Sequence, residues 1–338
     1  MFILNAWYVV AWSSEITRQP ARRVVCSIPV VLFRREDGTP VALSDRCAHR
    51  GYPLSAGRLV GDAIRCGYHG FTYDSEGHCI GIPAQERIPR SMTIRSYPMA
   101  EKDGWVWIWM GQEAKADQAA IPDTHWMSDP EWATVTHTIS IACRADLIHD
   151  NLLDLTHESF LHPSTVGDDY IVDYGVTVEV DGDVVSVDRL MAGVPAPPLY
   201  ASAMQTEGLY DRFHCTEFHA PSFHVLHSGI TGVGRARSDG YLIKVLNGIT
   251  PVDESNSVYF YAFSRNFAVE REATTLELRE GLATVLAEDK NALESQEVGL
   301  QSRPSTERDV LIAQDAGIIK ARRIIDRLLE AEMSDLRG

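Results

Sequence analysis

The chain has 338 residues, 45% of them hydrophobic and 23% charged, with a formal net charge of −16. That length supplies two domains or one large one, each with its own core, and the balance is that of a globular chain, which excludes a disordered one. The acidic excess excludes a partner held through phosphate neutralisation, because nucleic-acid binding draws on clustered Lys and Arg.

Residues 1–10 are apolar but lack a basic leader and the length to span a bilayer, so they read as a buried strand. As far as residue 112 the pattern is one of short strands: 24–33, an Asp37-Gly38 turn, 41–44, a turn over 73–77, and the Trp105-Val106-Trp107-Ile108-Trp109-Met110 run. Residues 111–122 shift to Ala, Gln, Lys and Asp, which marks a boundary, and two domains are expected, 1–112 and 113–338. The second opens with a helix over 146–162, stopped by Pro163, and continues through β-like runs at 176–187 and 258–262. Two helices close it, about 271–301 and about 307–332, the latter with Leu311, Ile312, Ile318, Ile319, Ile324, Ile325 and Leu328 on its buried side. The whole is an α+β chain. Six scattered Cys (Cys26, Cys47, Cys66, Cys79, Cys143, Cys215) do not make a secreted disulfide framework, and a reducing cytoplasm is expected.

Two mixed pairs stand out, Cys47-Ala48-His49 and, after sixteen residues, Cys66-Gly67-Tyr68-His69. Two Cys on one iron and two His on the other is the ligand set of a Rieske [2Fe–2S] centre, which raises its reduction potential over an all-Cys cluster. Zinc accepts the same donors, but its finger pattern puts both Cys before both His. Gly51, Gly67 and Gly70 would allow tight hairpin tips and close backbone approach to a cluster.

On the 146–162 helix Leu147, Ile148, Leu152, Leu155 and Phe160 serve packing, while Asn151, Asp154 and His157 recur every three residues on one stripe. Buried polar groups cost about 1–3 kcal/mol when unsatisfied, so such a stripe needs solvent or a function. Non-haem iron that activates O₂ is held by two His and one carboxylate. His157 and His162 stand about 140° apart on an ideal helix, so the helix must loosen or end between them to bring both to one metal. Pro163 gives His162 reason to leave helical geometry. The carboxylate must come from elsewhere, and the long helix offers Glu277, Glu280, Glu288, Asp289 and Glu294, among which composition does not choose.

These motifs resemble the oxygenase branch of the Rieske family, with its C-x-H, spacer and C-x-x-H pattern; Tyr52 and Tyr68 stand where the respiratory branch carries its extra Cys pair. The run from Asn151 to His162 resembles the N-x-x-D-x-x-H-x-x-x-x-H segment of the oxygenase α subunit. Asn5-Ala6-Trp7-Tyr8-Val9, Trp105–Trp109 and Ser264-Arg265-Asn266-Phe267 are similar to the vanillate O-demethylase, dicamba O-demethylase and toluenesulfonate methyl-monooxygenase group. The resemblance implies an all-β Rieske domain, then a catalytic domain of helix-grip type with an antiparallel sheet flanked by helices. It makes Cys47, His49, Cys66 and His69 the cluster ligands, and His157, His162 and Asp289 the iron ligands, with Glu288 the alternative to Asp289. Asp154 would hydrogen-bond a cluster His and an iron His across neighbouring subunits of a homotrimer, and Asn151 would lie near the iron. Electrons would come from NAD(P)H through a separate reductase, with or without a ferredoxin, since no nucleotide fingerprint is present. The implied reaction is hydroxylation of a methoxy or methyl group of an aromatic acid, above all O-demethylation; ring hydroxylation and a pure electron carrier are the alternatives. A substrate anion would have Arg212, His214, Arg235, Arg237, Lys244 and Asn247 to choose from.

Overall fold

The computed structural model describes residues 1–335 apart from Ala84, Ser305 and Arg308. The chain divides into two compact units, Phe2–Ile121 with Thr250–Asp253, and Pro122–Ile249 with Glu254–Gly338. None of the described helices is long and apolar enough to cross a membrane.

The first unit is built of β1 (Trp7–Trp12), β2 (Ala21–Val25), β3 (Ile28–Arg34), β4 (Pro40–Ser44), β5 (Arg58–Val60), β6 (Ala63–Arg65), β7 (Thr72–Tyr73), β8 (Cys79–Gly81), β9 (Ser96–Tyr97), β10 (Met99–Lys102) and β11 (Trp105–Trp109). They form three small sheets, ordered β1-β11-β10, β2-β3-β4-β9 and β5-β6-β7-β8. Every residue of β11 is buried, and Trp7 of β1 meets Trp109 edge to face at 5.5 Å. The 24–33 run, expected as one strand, is a hairpin that turns at Cys26 and Ser27 with φ of 52° and 65°. Neither Gly nor Asn announces this turn. Its amides donate instead to the carbonyls of Pro251 and Val252, at 2.7 and 2.8 Å, a long-range support that local sequence does not reveal. Residues 113–121, expected in the second domain, group with the first unit, where the Trp7 indole donates to the carbonyl of Asp117 at 2.8 Å.

The second unit contains β12 (Ala133–Ile141), α1 (Ala145–Leu153), α2 (Glu158–Leu161), β13 (Thr177–Asp181), β14 (Val184–Pro195), α3 (Pro198–Met204), β15 (Leu209–His219), β16 (Phe223–Gly232), β17 (Tyr241–Asp253), β18 (Asn256–Arg265), α4 (Glu272–Ser302) and α5 (Ala316–Asp335). Its seven-stranded sheet runs β12-β18-β17-β16-β15-β14-β13. The buried residues of α4, Thr274, Leu278, Leu282, Leu286, Asp289, Leu293 and Glu297, follow one another at three- or four-residue steps and so lie on one stripe. Its leucines join Leu147 and Ile148 of α1 and Ile243, Tyr259 and Phe263 of the sheet in one core. The last helix begins at Ala316 rather than near 307. Leu311 and Ile312, expected on its buried side, are 51% and 60% exposed, because the Asp315 carboxylate takes the amide of Ile312 at 2.7 Å and caps the chain just beyond them. Ile318 and Ile324 are buried, and Ile319, Ile325 and Leu328 half-buried.

Glu297, 2% exposed, binds Arg144 twice, Nε at 2.8 Å and Nη2 at 2.7 Å, and so ties the start of α1 to α4. These bonds hold the Glu297 carboxyl well below its ordinary range, at about 2. Removing Arg144 strands the buried carboxylate, while the 41% exposure of the arginine side chain lets solvent screen part of the pair. Arg144→Met should therefore cost about 1–2 kcal/mol in urea unfolding at pH 7. The depressed carboxyl contributes stability above its unfolded pKa and loses it as pH falls towards 2, so the difference between variant and parent should shrink with acidification below about pH 4.

Candidate metal centres

In the first unit two loops present the mixed Cys/His pairs. The Cys47 amide donates to Tyr52 O at 2.9 Å and the Gly51 amide to Cys47 O at 2.8 Å; the second loop repeats this with Cys66 to Phe71 O at 2.8 Å and Gly70 to Cys66 O at 3.1 Å. Each loop closes at a glycine with positive φ, Gly51 at 71° and Gly70 at 74°. Both cysteines are buried and unpaired by disulfide, while the rings of His49 and His69 meet edge to face at 4.7 Å. Burial raises the Cys66 pKa, against the amides of Tyr68 and His69 that favour the thiolate. His49 Nδ1 is buried without a hydrogen-bond partner, and burial lowers the pKa of its ring, keeping it available as a neutral ligand.

This donor set fits a two-iron cluster. Among the described residues the only group of three or more His, Cys, Asp or Glu whose ligand atoms all lie within 4.8 Å of one another is elsewhere, so these four do not close around one tetrahedral ion as zinc would require. The Tyr73 hydroxyl lies 3.3 Å from Cys47 Sγ and accepts the Ala48 amide at 3.2 Å. Burial, then the Cys47 sulfur, raise the Tyr73 pKa, so it stays a phenol and can donate to that sulfur. Sequence reading missed Tyr73; its place beside the Cys47 sulfur is tertiary.

The group that does converge is His157, His162 and Asp289, in the second unit. Asp154 ends α1 with φ −120° and ψ 91°, and its Oδ1 accepts the amide of Thr156 at 3.0 Å and its hydroxyl at 2.7 Å. A side chain that binds the backbone in this way competes with helix continuation. Helix α1 thus ends at Asp154, ahead of both histidines, and the expected departure between them comes in addition. A single turn, α2, follows, and His162 leaves helical geometry at φ −120°, ψ 40° before Pro163. The two imidazoles end 5.4 Å apart at 80°. Gly167 closes the segment tightly, since a Cβ there would lie 1.9 Å from Glu158 O.

Asp289 Oδ1 is 3.1 Å from His162 Nε2, 3.6 Å from His157 Nε2 and 3.2 Å from the Asn151 amide, which donates to it. The opposite nitrogens are held outside, His157 Nδ1 by the Asp154 carbonyl at 2.6 Å and His162 Nδ1 by Glu288 at 2.7 Å. Glu288 therefore faces the far side of His162, and Asp289 the near side. Burial opposes charge on His162, yet Asp289 and then Glu288 outweigh it and raise its pKa. The Asp154 carboxylate touches neither imidazole within the chain; its backbone does.

The cavity beside this group is lined by Asn151, Glu158, Tyr200, Asn247, Tyr259 and Tyr261 among others. Of the six residues offered for a substrate anion, Asn247 alone lines it. Arg212 is buried against Glu158, Asp168 and the Val166 carbonyl, His214 is buried, Arg235 is exposed, Arg237 pairs with Asp188 and Lys244 contacts His227. Glu158, Tyr259 and Tyr261 were missed. The i, i+2 spacing of the two tyrosines within the β-like 258–262 run was a signal that they share a face.

Residues 6–98 match the Rieske [2Fe-2S] domain and residues 141–331 the vanillate O-demethylase oxygenase C-terminal domain. The chain is 36% identical to the vanillate O-demethylase oxygenase subunit of Pseudomonas sp. (strain HR199 / DSM 7063), over 98% of this chain and 96% of that one. It is 35% identical to the toluene-4-sulfonate monooxygenase system iron-sulfur subunit of Comamonas testosteroni, over 98% of each. The crystal structure of dicamba monooxygenase bound to dicamba superimposes with a TM-score of 0.91 at 29% identity, over 98% of this chain and 99% of that one. Fold and sites define an oxygenase component of the Rieske non-haem iron monooxygenases, with a [2Fe–2S] cluster and iron as cofactors and a reductase as electron source. Within that class the chain belongs to the vanillate O-demethylase oxygenase family.

Hydrogen bonds to the sulfurs help to set the potential of an iron–sulfur cluster. Tyr73→Phe should lower the midpoint potential measured by spectroelectrochemistry while leaving the cluster's absorption spectrum in place.

Proposed function

We propose that this oxygenase hydroxylates a methoxy or methyl group of an aromatic acid, with O-demethylation as its main reaction. One observation carries the reading: His157, His162 and Asp289 open on a cavity whose other walls are largely tyrosine and aliphatic, the surroundings a flat ring prefers. The relatives named for vanillate and dicamba O-demethylation support the methoxy carbon. The toluene-4-sulfonate relative supports methyl hydroxylation as the second reading. Hydroxylating a methoxy carbon gives a hemiacetal that collapses to formaldehyde and a phenol; an aryl methyl gives a stable alcohol.

In this reading Cys47, His49, Cys66 and His69 hold the cluster and His157, His162 and Asp289 the iron, two His and one carboxylate leaving positions open. When bound, the two groups supply one-electron transfer and reductive O₂ activation. The chain supplies position. Glu288 and the Asp154 carbonyl take the Nδ1 protons of His162 and His157, which turns both Nε2 lone pairs inward. Asn151 fixes Asp289 by donating to Oδ1, and the leucines of α4 keep water out. Asp154 Oδ2 has no hydrogen bond among the described residues of this chain, consistent with a role towards a cluster His of a neighbouring copy in a homotrimer. A reductase fed by NAD(P)H, with or without a ferredoxin, completes the system in the cytoplasm.

Two measurements test this. Iron-loaded protein given NADH, a surrogate reductase, O₂ and a panel of methoxybenzoates and methylated arenesulfonates should release formaldehyde with the matching phenol; a benzylic alcohol would favour the second reading, and a cis-diol would overturn both. Metal analysis should find mononuclear iron lost in Asp289→Ala, whereas Glu288→Ala should weaken iron affinity by about 10–100-fold, as for other residues that orient a ligand. Full iron retention in Asp289→Ala would refute that ligand.

A further inference from the structure

Helix α1 lines two cavities, and only one of them belongs to the metal group. The other, of about 370 Å³, is bounded also by the end of α4, by α5 and by Phe218 of β15. Leu147, Phe218, Leu300, Ala321 and Ile325 give it an apolar wall, and its volume suits a single substituted ring. His149 lines it as well and is 7% exposed. Its Nδ1 lies 2.8 Å from Nε2 of His224, which is fully buried and no part of the cavity wall, so the edge that His149 turns to the cavity is that of Nε2. Nε2 has no hydrogen-bond partner among the described residues.

The surroundings of the pair fix where its protons sit. Burial lowers the pKa of both rings, His149 to about 4, so at neutral pH each is an imidazole with one N–H and one lone pair. His224 Nδ1 is buried with no partner. A proton there would be a stranded donor, which folded chains tolerate less than a stranded lone pair. The shared proton therefore belongs to His224 Nε2 and is donated to His149 Nδ1, which leaves His149 an N–H at Nε2, aimed into the cavity.

Charge decides which acceptor suits that N–H. The arginines of the lining are engaged, Arg144 by Glu297, Arg303 by Asp309 and Arg322 by Asp150. Asp146 and Asp326 add further acids at the exposed rim. An anion would meet more acid than base here, whereas an uncharged oxygen meets a donor.

We propose that this second cavity is a binding site for an uncharged arene bearing a hydroxyl or carbonyl oxygen, with the ring against Phe218 and the aliphatic wall and the oxygen accepting from His149 Nε2. It shares α1 with the metal cavity but no lining residue. Two residues beyond His149 on the same helix, Asn151 donates to Asp289, so an occupant packs on the element that positions this carboxylate.

The test uses the full-length, iron-loaded protein with 4-fluorophenol as the probe, followed by ¹⁹F NMR, and 4-fluorobenzoate as the charged control. Wild-type protein should bind the phenol with a dissociation constant of about 1 mM, ordinary for so small a ligand, and the benzoate at least about tenfold more weakly. His149→Phe, which keeps a buried ring but offers no N–H, should weaken the phenol about tenfold. Ile325→Trp fills the cavity from α5 and leaves both histidines in place; it should abolish binding with the cluster's absorption spectrum unchanged, and it guards against misfolding of the first variant. Absence of binding to the wild type, binding that survives Ile325→Trp, or benzoate held as tightly as phenol would overturn the proposal. Independently of any ligand, ¹⁵N-histidine NMR at pH 7 should show both rings neutral and protonated at Nε2; a proton on Nδ1 of His149 would overturn the donor assignment. None of these measurements reads turnover, so their outcome stands apart from the oxygenase reading.

Discussion

A carboxylate on the leucine stripe of α4 dictates much of what surrounds it. Asp289 is 8% exposed among Leu282, Leu286 and Leu293, and an ionised group in such a place is costly unless it is paired and hydrogen-bonded. The chain meets that demand with two imidazoles and one amide, all from the Asn151–His162 segment. Those partners reach it only because Asp154 interrupts α1 and His162 leaves α2. An uninterrupted helix would send His157 and His162 to different sides. Helix break and buried acid are therefore one constraint seen from two elements.

The same need for satisfaction organises the next layer. Once Nε2 of each histidine faces Asp289, each Nδ1 must find an acceptor, and the Asp154 carbonyl and Glu288 provide it. Glu158, on the same turn, is raised in pKa by burial and held by Arg212, whose guanidinium also binds the Val166 carbonyl and Asp168. Arg212 thus fastens the segment that carries His157 and His162 to β15 from behind. This explains why an arginine offered for substrate binding turns out to be structural.

In the first unit the corresponding constraint is a pair of loops of like construction, each closing a Cys amide and a Cys carbonyl on itself around a positive-φ glycine. The loops need no regular secondary structure of their own, since short β-ladders on either side carry them. Tyr73 then reaches the Cys47 sulfur from β7, where it is fully buried.

Much of this was legible in the chain. The mixed Cys/His pairs, the 151–162 spacing, Pro163 and the Trp-rich strand are local patterns, and they marked both centres and the α+β order of the domains. Even Asp289 had a local sign: it is in helical phase with Leu278, Leu282, Leu286 and Leu293, whereas Glu288 is one step out of phase. What the chain did not disclose has a common physical cause, dependence on residues distant in sequence. The Cys26-Ser27 turn rests on carbonyls at 251 and 252, segment 113–121 is claimed by Trp7, and the Tyr259, Tyr261 and Asn247 walls become a cavity only when β17 and β18 lie beneath α4. Sequence by itself determined which donors the protein carries and at what spacing. Tertiary structure alone decided which polar side chains line the cavity, because these are set by burial and register, and neither exists until the sheet and helices have packed.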